Sequence, residues 1–229
     1  MRASFPPKSF ARPQPATSSA WRGQRVFDVI GALVALVLLA PILAAIALAV
    51  AVVLGRPILF RQARLGAHGR PFTLIKFRSM RSAVDMHGEF LPDDQRLSAF
   101  GRWLRSTHLD ELPQLLNILR GEMSLVGPRP LVSHEQDLAE NTRLSVRPGL
   151  TGWAQIKGTR TMPIAEKAAL DRRYIAGASL WRDLAIMAQT VPAIIASARS
   201  TDATSGTAEP ATLVEPSDTT PLALARPST

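Results

Sequence analysis

From Val29 to Leu54 the chain runs for about 26 residues without a charge, and about 20 such residues suffice for a helix to cross the hydrocarbon core of a bilayer. The apolar stretch of a cleaved leader is only roughly 7 to 15 residues long, so the pattern predicts a retained membrane segment. Beyond Gly55 the period shortens: Ile58 to Arg64 and Phe72 to Met80 flank the glycine-rich LGAHGRP and read as a β-hairpin. Helical spacing returns over Gln95 to Ser106, where Leu97, Phe100, Trp103 and Leu104 form a stripe beside Arg96, Arg102 and Arg105. A second stripe of Leu112, Leu115, Leu116 and Leu119 predicts a helix with Pro113 in its first turn and Gly121 as its stop. Leu131 to Asn141 and Ile164 to Ile175 read as further helices, and Trp181 to Ala198 as one interrupted by Pro192.

These elements predict a mixed α/β, helix-rich single domain over residues 56–199, behind an N-terminal membrane segment at 21–55. Residues 1–20 and 200–229 are rich in Ser, Thr, Ala and Pro, lack apolar periodicity, and are expected to form a disordered basic arm and a disordered tail. The flanks of the membrane segment are basic on both sides: Arg22 and Arg25 before it, Arg56, Arg61, Arg64 and Arg70 after it. Positive flanks mark the cytoplasmic side, so both ends read as cytoplasmic. Pro41 near the middle removes a backbone donor and favours a break. A re-entrant hairpin and an ordinary kinked spanning helix stand level on these residues. The basic stripe around Trp103 fits an interfacial helix and equally a helix packed on a protein core.

The formal charge of +9 implies an anionic partner, and nucleic acid, acidic lipid and a nucleotide all satisfy it. The absence of cysteine excludes disulfides, thiolate metal sites and a thiol nucleophile. The four histidines, at positions 68, 87, 108 and 134, have no ligand spacing, which argues against zinc.

The candidate chemistry concentrates between Arg102 and Pro130. Asp110 and Glu111 fall at the start of the leucine-striped helix, where acids commonly serve the helix dipole. Their neighbours change that picture. Arg102 and Arg105 precede them and Arg129 follows, held between Pro128 and Pro130 in GPRP. Carboxylates ringed by phosphate-binding donors point to phosphoryl chemistry. Lys76 and Arg78 alternate onto one face of the second strand as two adjacent cations, which read equally as solvated edge charges and as phosphate-binding candidates beside Arg105, Arg129 and, more weakly, Arg147 before Pro148. Trp153 is expected in the core.

Read together, FRQARLGAHGRPFTLIKFRSM, LRSTHLDELPQLLNILRGEMSLVGPRP and RPGLTGWAQIKG resemble the bacterial sugar transferase family of monotopic polyprenol-phosphate phosphoglycosyl transferases, across roughly Arg25 to Arg199. The resemblance implies a re-entrant helix-break-helix in the bacterial inner membrane, with the catalytic domain and its interfacial helices on the cytoplasmic face. It implies transfer of a phosphosugar from a nucleotide diphosphate sugar, usually a UDP-sugar, to undecaprenyl phosphate, with Mg²⁺ as cofactor. Asp110 maps to the family's nucleophile and Glu111 to its partner, and either or both are candidate metal ligands. The implied partners are the UDP-sugar, undecaprenyl phosphate and membrane lipids, with no nucleic acid, and a homodimer stays open. Asp171, Tyr174 and Asp183 also match family positions, without an assigned role. Two other readings compete: a membrane-tethered basic binding protein without catalysis, and a glycosyltransferase that moves the sugar alone and releases UDP.

Overall fold

The computed structural model describes residues 18–83, 91–131, 141–158 and 162–204. Its longest elements are α1 (Ser18–Val53) and α7 (Leu180–Thr204), each extending a few residues into the segment expected to be arm or tail, and α7 continues through Pro192, where the sequence pattern predicts an interruption. Residues 1–17 and 205–229, and most of the expected helix at 131–141, lie outside the described residues. Of that helix, only Leu131, bridged to Leu65, and the 3-10 turn starting at Asn141 are described.

The expected hairpin is present as β1 (Leu59–Leu65) and β2 (Pro71–Phe77), antiparallel, with Phe60 opposite Lys76 and Gln62 opposite Leu74. The single helix expected over Gln95 to Ser106 is instead a turn, α2 (Asp93–Arg96), followed by α3 (Ala99–Ser106). Ser98 divides them because its hydroxyl accepts the Gly101 N–H at 3.1 Å and so opens a new helix. The leucine-striped helix also starts later than expected. Leu109–Gln114 is a 3-10 turn, and α4 runs only from Leu115 to Arg120, where Gly121 at φ 84° supplies the left-handed stop. The short strands β3 (Ser124–Val126) and β4 (Gly149–Thr151) pair in parallel, and α5 (Trp153–Lys157) and α6 (Ile164–Ala176) follow. The resulting domain is mixed and helix-rich.

Two apolar clusters hold it together. Leu74, Leu115, Ile118, Met123, Leu125, Val126, Tyr174 and Ile186 form the larger, with Trp153 packed at its margin rather than buried within it. Phe77 and Leu104 anchor the smaller. Each fully buried aliphatic side chain contributes about 2 kcal/mol through removal from water. The long apolar helix α1 enters both clusters with one stripe: Ala32 and Leu36 in the larger, Leu43, Ile46 and Val50 in the smaller. Its other side, including Val37, Leu38, Leu48 and Val52, is exposed. Among the described residues this is the one helix long and apolar enough to cross a membrane. Pro41 lies inside it, between the two contact zones.

Candidate active site

The Asp110–Glu111 pair sits on the 3-10 turn, entered through His108 in a left-handed conformation at φ 56°. That conformation ends the run of α3 and turns the chain toward β2. Successive side chains on a 3-10 turn diverge by about 120°, so the two acids meet different surroundings. Glu111 reaches β2, where the Lys76 ammonium donates to its Oε1 at 2.9 Å. The Arg129 guanidinium stands 3.9 Å from the same oxygen. Asp110 is buried, and no described side chain donates a hydrogen bond to it.

The electrostatics separate the pair. Burial and the adjacent Glu111 charge push the Asp110 carboxyl above its ordinary range, against the pull of Lys76, Arg105 and His108. Burial alone would lift Glu111 as well, but Lys76 and Arg129 outweigh it and hold that carboxyl below its ordinary range. Glu111 is therefore a committed anion, while Asp110 is an anion short of positive partners.

Of the expected phosphate-binding cations, Lys76 and Arg129 gather at Glu111, and Arg105 acts on Asp110 from α3 while its Nε donates to Ser79 Oγ at 2.9 Å. Two others are placed elsewhere. Arg78 is buried with its guanidinium turned to the end of α1, donating to the carbonyls of Leu54, Gly55 and Arg56 and to the Ser82 hydroxyl. It caps the membrane helix instead of pairing with Lys76, because it lies at the strand's end, where the chain leaving α1 passes. Arg147 donates from Nε to the Gly121 carbonyl at 3.0 Å, and Arg25 donates to the carbonyls of Ile118 and Leu119 at 2.6 and 2.9 Å. Both thus close the C-terminus of α4, where cations are favoured by the helix dipole.

A shallow open cleft adjoins Glu111, lined by Lys76, Glu111 and Arg129 together with Arg64, Gln114 and Gln155. Sequence reasoning did not single out the last three for the site. Arg64 is read as a membrane-flank charge, Gln114 only by its helix face, and Gln155 lies beside a tryptophan that draws the attention. Nothing local marks them, since only the parallel pairing of β3 with β4 brings residue 155 to the dyad. That pairing needs bare backbone: a Cβ on Gly149 would lie 2.0 Å from the Gly127 nitrogen.

The loop carrying Arg129 is braced from behind. Arg64 donates to the Pro130 carbonyl and Arg143 to that of Arg129, each at 3.4 Å, and Arg143 pairs with the buried Asp171 at 2.8 Å. Below β3, Asp28 of α1 accepts from the Leu125 N–H and the Ser124 hydroxyl at 2.8 and 2.9 Å. Tyr174 and Gln24 both donate to Asp183, at 2.8 and 2.7 Å. These contacts give Asp171, Tyr174 and Asp183 their role: they fix α6 and α7 to the membrane helix, to β3 and to the Arg129 loop.

The sequence profile described as bacterial sugar transferase matches residues 19–197, a span containing the dyad, the cleft and every brace just described. The chain belongs to the bacterial sugar transferase family. It is 42% identical over 177 residues to "Uncharacterized sugar transferase EpsL" of Bacillus subtilis, covering 76% of this chain and 88% of that one. It is also 42% identical over 185 residues to "UDP-glucose:undecaprenyl-phosphate glucose-1-phosphate transferase" of Caulobacter vibrioides, covering 75% and 69%. With "Exopolysaccharide production protein ExoY" of Rhizobium meliloti it shares 39% over 191 residues, covering 75% and 84%.

Among the described residues of this sugar transferase, no group of three His, Asp or Glu could hold a metal unaided. Magnesium does not require one, since one or two carboxylates with substrate phosphates and waters complete its shell. Asp110, buried and without a described hydrogen-bond donor, fits that demand, while one oxygen of Glu111 is already engaged by Lys76.

Proposed function

We propose that this sugar transferase moves a sugar phosphate from a UDP-hexose to undecaprenyl phosphate, releases UMP, and so begins assembly of a bacterial exopolysaccharide or related glycan. The observation that carries this reading is a buried Asp110 without a described donor, beside a Glu111 whose Oε1 is engaged by Lys76 and faced by Arg129. The names of relatives support it: the Caulobacter, Escherichia coli and Klebsiella pneumoniae proteins are each called UDP-glucose:undecaprenyl-phosphate glucose-1-phosphate transferase.

In the first step an Asp110 carboxylate oxygen bonds to the phosphorus that bears the sugar, and the bond from that phosphorus to UMP breaks, its electron pair leaving with UMP. This forms an aspartyl phosphosugar. A phosphate oxygen of undecaprenyl phosphate then attacks the same phosphorus, and the electrons of the acyl phosphate bond return to Asp110. Carboxylate and phosphate repel, so Lys76, Arg105 and Arg129 carry the task of neutralising the charge that builds up around phosphorus. Magnesium, held by Asp110 and the free edge of Glu111, would screen the diphosphate further. Glu111 holds the Lys76 ammonium in place.

The membrane arrangement in this reading is a hairpin turned at Pro41, with the domain on the cytoplasmic face of the inner membrane. Support comes from α1 itself, whose N-terminal and C-terminal halves both pack on the one domain. Trp181, 83% exposed, and Trp103, 49% exposed, then lie at headgroup depth, where the acceptor's phosphate is found.

The test is nucleotide release from a panel of UDP-sugars, UDP-glucose first, by detergent-purified protein with Mg²⁺ and undecaprenyl phosphate. UMP from wild type and none from Asp110→Asn is the expected result, with Asp110→Asn still partitioning into membranes. UDP as product would establish the glycosyltransferase instead, and silence from every donor would favour the binding protein.

A further inference from the structure

We propose that Asn117 is a positioning residue: its side-chain amide fastens the open edge of β2 to α4 and thereby sets where Lys76 stands against Glu111. The sheet containing β2 has two strands, so only one edge of β2 is paired. On the other edge the Ile75 N–H donates to Asn117 Oδ1 at 3.2 Å, and Asn117 Nδ2 donates to the Thr73 carbonyl at 2.7 Å. Residues 73 and 75 share an edge, so the amide stands where a peptide group of a third strand would stand. The remaining Nδ2 hydrogen goes to Glu122 Oε2 at 2.6 Å, and the residue is fully buried. Both hydrogens and the oxygen of the amide are thus engaged by fixed partners.

The consequence lies at the neighbouring residue. Lys76 follows Ile75 directly, and Glu111 lies on the 3-10 turn that runs straight into α4, which carries Asn117. The strand bearing the cation and the helix bearing the acid are therefore joined twice, by the amide at backbone level and by the ion pair at 2.9 Å. A lysine on a four-carbon stem cannot define that spacing alone. Without the amide, β2 is free to shift along α4, and a displacement of about 1 Å in a catalytic group lowers rate about 100-fold.

The test is a double-mutant cycle on the detergent-purified full chain, and it rests on the phosphosugar reading only for its readout. Asn117→Ala is compared with wild type, and again in a Lys76→Ala background, below the unfolding midpoint of each variant. The expected result is a loss of about 100-fold in kcat/KM for UMP release in the first comparison and less than about threefold in the second, because Lys76 is no longer there to misplace. Equal factors in both backgrounds would make Asn117 merely structural and overturn the proposal. If Asn117→Ala does not fold, Asn117→Asp combined with Glu122→Gln replaces it. That pair keeps an acceptor for the Ile75 N–H and reverses the bond between positions 117 and 122, so that the introduced amide donates to the introduced carboxylate. The bond to the Thr73 carbonyl is lost, and a carboxylate oxygen faces that carbonyl in its place. The effect is expected to be smaller, about tenfold, and again confined to the background that retains Lys76. Release of UDP in place of UMP by wild type would overturn the phosphosugar reading alone, and the cycle would be read on that product.

Discussion

Two adjacent carboxyl groups with the same backbone shift in opposite directions because one has a lysine within hydrogen-bonding distance and the other has none. In the proposed reaction this divergence favours Asp110 as the nucleophile: Glu111, its carboxyl held below the ordinary range, cannot easily leave Lys76 to attack phosphorus, whereas Asp110 is held to nothing but the charge around it. Lys76 is then expected to matter twice, as a neutraliser of the phosphoryl group and as the cation that keeps Glu111 ionised. Lys76→Met should lower kcat/KM for nucleotide release by roughly 100- to 1,000-fold, the range seen when one preorganised donor is removed from a reacting centre. With its largest positive neighbour gone, burial would also carry the Glu111 carboxyl upward. The residual activity of Lys76→Met should therefore fall at a higher pH than that of wild type, and a pH profile of the two enzymes measures it. Profiles that superimpose would separate Lys76 from the ionisation of Glu111.

Among the elements, the junction of α1, β3, α6 and α7 offers the sharpest prediction. Burial is the main force lifting the Asp183 carboxyl to about 6, the charge of Asp28 adds to it, and the donors Tyr174 and Gln24 offset it only in part. The folded pKa thus lies above the ordinary 3.8. The linked stability is fully present below that lower value and is lost as pH rises through about 6. A shift of this size corresponds to on the order of 3 kcal/mol. Asp183→Asn can still accept from Gln24 and can donate to Tyr174, whose hydroxyl turns to the Val126 carbonyl 3.3 Å away. Its apparent Tm in detergent should change less between about pH 5 and pH 7.5 than that of wild type, and parallel curves would remove Asp183 as the source. This junction also marks how far the sequence is legible. Periodicity alone predicts the hairpin, α6 and the long apolar helix, since each depends on its own residues, but it runs α2 and α3 together across the Ser98 cap. The dyad is legible too, because acids, arginines and prolines crowd one stretch. What local pattern does not carry is which strand edges meet. Arg78 and Lys76 look equivalent on one strand, yet the exit of α1 claims the first and Glu111 the second. Gln155 likewise enters the cleft only through the pairing of β3 with β4.

At the scale of the whole molecule, the decisive property is where the two ends of α1 lie. A straight helix rises about 1.5 Å per residue, so the 36 residues of α1 would span about 54 Å and carry one end clear across a bilayer. Yet Gln24 and Asp28 near its start bond to β3 and α7, and Ile46 and Val50 near its end pack on Phe77 and Leu104 of the same domain. If both contact zones persist in the membrane, the two ends of α1 lie on the same face, which is the arrangement proposed above. Pro41 is suited to take the bend, because without an N–H it leaves the Val37 carbonyl unbonded. The chain has no cysteine, so single substitutions can report topology against a silent background. Ala20→Cys and Ala63→Cys, one on either side of the apolar run, should both resist a membrane-impermeant maleimide added to intact spheroplasts and both react once the membrane is permeabilised. Labelling of one and not the other in intact cells would establish a spanning helix, and the packing of α1 on both clusters would then have to be abandoned in the membrane.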